Sequence, residues 1–321
     1  ILVLLYSILP ARDLYTITVK TERFVAGLKA KSQTIEEGTI SYLYRQSDTP
    51  KAKTLVMLHG FGADKDNWNR ISVFLKQHFT LVIPDLPPFG NSFVDPTHQY
   101  HVDKQVARLS EFLETINHTD IIIAGNSMGG YIAAAYAARH PEDVEQVWLL
   151  NPLGVNHAPP SEMVTRMTNG EPPLVLPDSP ASFRRLLDSL FVSQPFIPDR
   201  LIDYLGRQRT VTYSLFQEVF NDIHPNRQLG GFFFDPSLQS LISEITAPVL
   251  VSWGDQDKIL NIGGANILKN EYPHLQFTKQ ANLGHLPMIE APRATANIFL
   301  KFHQSQAPSN ELPTHSFNSH Q

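Results

Sequence analysis

Short apolar runs that alternate with helical patterns constrain this chain more than any other feature. "KTLVMLH" (53–59), "FTLVIPD" (79–85), "DIIIAGN" (120–126), "VEQVWLLN" (144–151) and "APVLVSWG" (247–254) are β-rich and apolar throughout. Runs without polar alternation suit strands covered on both faces, as in a parallel sheet. "TISYLYR" (39–45) alternates instead, as a half-buried strand does. Between the runs lie stretches such as "DKQVARLSEFLETI" (103–116), with Val106, Leu109, Phe112 and Leu113 on one stripe. Strands and helices in alternation predict an α/β fold with right-handed crossovers. No internal repeat interrupts the pattern. With 321 residues, 42% of them hydrophobic, the chain can bury one large core and carry an insertion.

The rhythm breaks at residues 156–240. Pro159–Pro160, Pro172–Pro173, Pro177 and Pro180 are followed by helical patterns such as "ASFRRLLDSLF" and "DRLIDYLGRQ". We expect a helical cap here, inserted between two halves of a core at 22–155 and 241–304. Residues 305–321 are polar and aperiodic and read as a disordered tail. Residues 1–21 begin with the apolar "ILVLLYSILP", too short by itself to cross a bilayer, which takes roughly 20 residues. It reads as a membrane anchor or signal remnant, in preference to an apolar helix start packed on the body, so a membrane-associated or secreted location is expected. A net charge of -5 argues against nucleic acid as a partner. The absence of cysteine removes thiol catalysis, disulfides and cysteine-ligated metals.

The chemistry concentrates in "IIIAGNSMGGYIAAAYAARH". "GNSMG" fits G-x-S-x-G between a buried strand and an alanine-rich helix, the context of a nucleophile elbow. Ser127 has to take an unfavourable backbone conformation to raise its hydroxyl above the sheet. Glycines two positions before and after then let strand and helix approach. A serine also needs a base, and the base an orienting acid, in the chain order Ser, acid, His. "DQDKIL" after one strand offers Asp255 and Asp257, and "ANLGHLPMIE" after the next offers His285. Both follow strand carboxyl ends, the edge where open α/β sheets carry their sites. Asp257 is the expected acid and Asp255 a surface or turn-capping residue. The oxyanion donors are expected at the Met128 N–H, directly after the nucleophile, and at the Phe61 N–H in "HGFGADKDNW". His59 is expected to brace that loop, since no second ligand stands at metal spacing. His140, His224 and His274 are read as structural or exposed.

The segments "LHGFGADKDNW", "DLPPFGNS", "AGNSMGG", "SWGDQDKIL" and "NLGHLPMIEAP" resemble those of the α/β-hydrolase superfamily. Within it the chain looks like bacterial family V lipases and monoacylglycerol-lipase-like membrane enzymes, over residues 22–303. The resemblance implies Ser127, Asp257 and His285 as a triad, with Phe61 and Met128 as oxyanion donors. Two positions depart from the pattern: Pro88 replaces a usual glycine, and the oxyanion loop reads HGFG, not a triple glycine.

The expected activity is hydrolysis of a lipid or other hydrophobic carboxylic ester through an acyl-enzyme, without metal or organic cofactor. Phe232, Phe233 and Phe234 in "LGGFFFDPSLQSLI", with Leu186 and Phe191 in "LLDSLFVSQPFIP", are candidate acyl-chain contacts, although most cap aromatics serve only the cap core. A carbon–carbon hydrolase of the same fold would need a carboxylate-binding cap, for which Arg184, Arg185, Arg207 and Arg209 are candidates. A non-catalytic hydrolase-like binding protein is the third reading.

Overall fold

A computed structural model describes residues 9–306 except 96, 98, 225, 229 and 230. The strands are β1 (Lys29–Ile35), β2 (Gly38–Arg45), β3 (Thr54–Leu58), β4 (Thr80–Pro84), β5 (Ile121–Asn126), β6 (Val144–Leu150), a separate hairpin of β7 (Asn226–Gln228) and β8 (Gly231–Phe233), then β9 (Val249–Gly254) and β10 (Gln276–Gln280). The main sheet has eight strands in the order β1-β2-β4-β3-β5-β6-β9-β10. The pairs β1/β2 and β2/β4 are antiparallel and the rest parallel. This is an α/β-hydrolase fold. Every residue of β3, β4, β5 and β9 is buried, as continuous apolar runs require. The edge strand β1 is mostly exposed and carries Lys29 and Lys31, charges that discourage pairing with another chain.

The helices are α1 (Ala11–Ala26), α2 (Asn69–Leu75), α3 (Val102–Thr115), α4 (Met128–Arg139), α5 (Glu162–Thr168), α6 (Pro180–Leu190), α7 (Asp199–Ile223), α8 (Leu238–Glu244), α9 (Gly263–Glu271), α10 (Pro287–Glu290) and α11 (Pro292–Ser305). A single 3-10 turn, Lys65–Trp68, precedes α2. One face of the sheet is covered by a core that includes Val106, Leu109 and Phe112 of α3 with Ile132 and Tyr136 of α4. The other face packs Ile71 and Leu75 of α2 with Phe299 of α11, whose ring stacks on Trp148 at 4.5 Å. Helices α5–α7 are inserted between β6 and β9. The insertion helices start where their sequence says: Ser179 and Ser182 form a capping box ahead of α6, with Pro180 in its first turn.

Strand β3 lies between β4 and β5, so the chain leaves it in one direction and returns on its other side. That reversal opens a crevice at the carboxyl ends of β3 and β5, where the loops at 59–64 and at Ser127 emerge.

The N-terminal residues 1–8 and the tail at 307–321 lie outside the described residues, so the anchor and tail expectations fall largely there. Residues 11–26 form one helix across the expected boundary at 21/22. Helix α1 is tied to the body by Arg23, whose two bonds to Asp66 are both 2.6 Å, and by Glu22, which accepts from Arg70 at 2.9 Å. Among the described residues no helix is long and apolar enough to cross a membrane.

Candidate active site

Ser127 stands between the last residue of β5 and the first of α4, with φ 56° and ψ -121°. A side chain at such angles is strained, and strain of this kind persists only when its surroundings over-determine it. Here they do. A Cβ on Gly125 would lie 2.1 Å from the Gly129 carbonyl oxygen, and one on Gly129 would lie 2.3 Å from that of Leu58. The Asn126 amide donates to the carbonyls of Leu150 (3.2 Å) and His285 (3.1 Å), tying the elbow to the histidine loop.

His285 and Asp257 meet as their order in the chain predicts. The Nδ1–H of His285 donates to Asp257 Oδ2 at 2.7 Å. That carboxylate is heavily solvated by the protein. Its Oδ1 accepts from the Ile259 and Leu260 backbone N–H groups at 2.8 and 2.9 Å, and its Oδ2 also from the Asn151 amide at 2.6 Å. The acid therefore stays put, and the imidazole is left with Nε2 as its free nitrogen. The loop is pinned in turn: the His285 N–H donates to the Leu190 carbonyl at 2.8 Å, and Glu290 accepts from Gly284 and Ser193. Asp255 accepts from the Asn282 N–H at 2.7 Å and lies 3.9 Å from Lys279, a turn contact separate from His285.

The loop after β3 sits directly on the serine, since even a Cβ at Gly60 would come within 3.2 Å of the Ser127 Cβ. His59 is buried and held neutral. Desolvation lowers its pKa, its Nδ1–H donates to the Gly60 carbonyl at 2.8 Å, and its Nε2 accepts from Leu86 N–H at 2.9 Å. Asp85 accepts from the Lys65 N–H at 2.8 Å and forms a buried ion pair with the Lys65 ammonium, joining this loop to the 85–92 loop. Met128, as the first residue of α4, carries one of the helix's free terminal N–H groups.

Ser127, His285 and Phe61 line one cavity of about 310 Å³. Its apolar wall comes from the insertion and includes Phe183, Leu186, Leu187 and Phe191. Tyr15, Asp64 and Arg209 also line it. Of the four arginines weighed from the sequence, Arg209 alone lines it, whereas Arg184 pairs with Asp199 at 2.8 Å.

Leu186 and Phe191 are thus brought to the serine, but Phe232, Phe233 and Phe234 are not. They line a second cavity of about 260 Å³ beside Trp253 and Leu260. The cause is the hairpin's seat. Phe232 packs on His224 at 4.4 Å, near the end of α7, and Phe234 on Tyr131 of α4 at 5.4 Å. Sequence reasoning passed over Asn126 and Asn151, and weighed Arg209 only as a carboxylate-binding group of the cap. Asn151 had a signal, because a polar residue closes an apolar strand run at the site edge in "VEQVWLLN".

The model of the alpha/beta hydrolase fold family matches residues 53–292. Lipase 3 of Moraxella sp. (strain TA144) is 30% identical over 285 residues, covering 88% of this chain and 87% of the relative. Monoacylglycerol lipase ABHD6 of Homo sapiens is 26% identical over 288 residues, covering 87% and 83%. The crystal structure of a membrane phospholipase A, a bacterial virulence factor, superposes with a TM-score of 0.85 at 34% identity, covering 94% of this chain and 93% of that one. The strained serine between packed glycines, the histidine–aspartate pair beside it and these similarities place the chain in the α/β-hydrolase family, related to lipases and monoacylglycerol lipases.

Proposed function

We propose that the protein is a serine carboxylic-ester hydrolase of lipase type, acting on lipid esters through an acyl-enzyme. One observation carries the reading: a single cavity joins Ser127 and His285 to an apolar wall donated by α6 and the segment after it. A hydrocarbon chain resting on that wall would place its ester carbonyl at the serine. The lipase, monoacylglycerol lipase and phospholipase names of the similar proteins support a lipid ester.

In this reading His285 Nε2 takes the proton of Ser127 Oγ as the oxygen attacks the carbonyl carbon. The oxyanion receives the N–H groups of Met128 and Phe61. Asp257 holds the ring through Nδ1 and stabilises the imidazolium. The imidazolium then protonates the leaving alcohol. A water molecule, deprotonated by the same nitrogen, attacks the acyl-serine and releases the acid. Residues 156–240 act as the cap over a core of 22–155 and 241–304. The residues ahead of α1 contribute membrane association, which cell fractionation of the chain with and without residues 1–10 tests.

The functional test is a series of esters of graded acyl length, assayed with the native chain and with Ser127→Ala. The reading predicts turnover that rises with chain length and vanishes in the variant. Hydrolysis of a dienoic ketone acid with no ester turnover would favour carbon–carbon hydrolysis instead.

A further inference from the structure

Helix α7 grips the loop after β3 by two handles. The first is Arg209, whose Nη2–H donates to the Gly62 carbonyl. Its guanidinium also lies over the Phe216 ring, two turns further along α7, at 5.1 Å. The second handle is Phe61 itself. Its ring meets Phe216 at 6.0 Å and Phe220 at 5.8 Å, both on α7, and Phe89 at 5.5 Å, all edge to face. On the near side, the Gly60 carbonyl, in the same peptide plane as the Phe61 N–H, accepts from His59 Nδ1–H at 2.8 Å and from the Ala63 N–H at 3.2 Å. Phe61 stands between two glycines, so its N–H direction is set by what holds the residues on either side.

We propose that Arg209 is a positioning residue: by holding the Gly62 carbonyl it aims the Phe61 N–H at the oxyanion, so the oxyanion site is complete only while α7 is seated on the loop. The inference rests on the reading of Ser127 as nucleophile and Phe61 as donor. Hydrogen bonds weaken steeply as the donor turns away, and a misplacement of about 1 Å at a reacting centre lowers rates about 100-fold. Loss of an oxyanion donor lowers kcat by roughly 100- to 1,000-fold, so a donor that is loosened and not removed should lose less. Arg209 touches neither Ser127 nor His285 in this account, and its effect should therefore fall on kcat and not on KM.

The test uses the full chain with Arg209→Met, which keeps an apolar stem over Phe216 and removes every donor, and Arg209→Lys, which keeps the charge and a donor. For each we would measure kcat and KM on a short soluble nitrophenyl ester, and the rate of inactivation by a nitrophenyl phosphonate whose adduct places a charged oxygen in the oxyanion site. Titration with the phosphonate to completion counts competent sites, so rates are expressed per folded molecule. Arg209→Met should lower kcat and the phosphonylation rate together by about 10- to 100-fold, with KM within about twofold, and Arg209→Lys should recover most of both. A kcat per site equal to wild type overturns the proposal. So does a raised KM with unchanged kcat, which would make Arg209 a substrate-binding group. If Ser127→Ala retains full turnover, the reading of the nucleophile fails regardless of Arg209. If it is inactive while Arg209→Met is normal, only the present inference fails.

Discussion

Leu186 is 9% exposed, lies on α6 and lines the cavity of Ser127. Replacing it with asparagine keeps the branched outline and the number of heavy atoms but makes that patch of wall polar. Each buried methylene of an acyl chain is worth about 0.8 kcal/mol. A long chain that lays about three methylenes on the patch would lose roughly 2.4 kcal/mol, close to a 50-fold fall in kcat/KM. A two-carbon acyl group does not reach α6 and should lose less than about threefold once rates are corrected for folded protein. The readout is the ratio of kcat/KM for a long and a short nitrophenyl ester, which cancels any change in active fraction. Phe232→Ser is the internal control. Phe232 lines the other cavity, so the variant should lower the Tm and leave that ratio unchanged. An equal loss on both esters in Leu186→Asn, or a changed ratio in Phe232→Ser, would refute the assignment of the acyl wall to α6.

Asp257→Asn should reduce kcat by about 10,000-fold, because an amide at that position favours the wrong imidazole tautomer. Asp255→Asn should stay within about threefold, and the reverse ranking in the same ester assay would show that the acid is misassigned. Lys65→Met strands the Asp85 carboxylate, which is 0% exposed, and should destabilise the fold by roughly 3–5 kcal/mol in denaturant titration. A shift below about 1 kcal/mol would mean that Asp85 is satisfied by backbone donors alone. Burial, with Asp66 and Asp85 nearby and opposed by Lys65, pushes the Asp64 carboxyl up to about 6. The unfolded chain ionises this group first, so the folded state binds more protons between about pH 4 and 6 and loses stability as pH rises through that window. Asp64→Asn keeps an acceptor for the Asp66 N–H, which Asp64 now caps at 2.9 Å, and removes the penalty. Its advantage over wild type in unfolding free energy, read by denaturant titration, should therefore grow from pH 4 to pH 6.5 by at most about 3 kcal/mol, and a pH-independent difference would contradict the shift.

Local features were the legible ones. Four of the five apolar runs became fully buried strands because a sheet covered on both faces admits no alternation, and Val106, Leu109, Phe112 and Leu113 became the buried stripe of α3. The elbow was legible because one steric demand writes several residues at once: Gly125 and Gly129 are needed only if Ser127 is strained. Chain order brought Asp257 and His285 to each other because both leave neighbouring parallel strands at the same edge. What stayed hidden depends on contacts between distant segments. Nothing near Phe232–Phe234 in the chain says that their hairpin lies on α4 and the end of α7, away from the serine. Likewise Asn151 meets Asp257 across 106 positions and Arg209 meets Gly62 across 147. Helix α1 was obscured by the apolar run before it. Its ties to the body include two ion pairs, Arg23 with Asp66 and Glu22 with Arg70, which hydropathy does not register.

Peptide mapping by mass spectrometry after reaction with a fluorophosphonate tests the central claim most directly, because the reagent modifies only an activated nucleophile. The account predicts one adduct per chain, carried by the peptide containing Ser127, absent in Ser127→Ala and formed at least about 1,000-fold more slowly in His285→Gln. An adduct on any other residue, or labelling of His285→Gln at the wild-type rate, would contradict it.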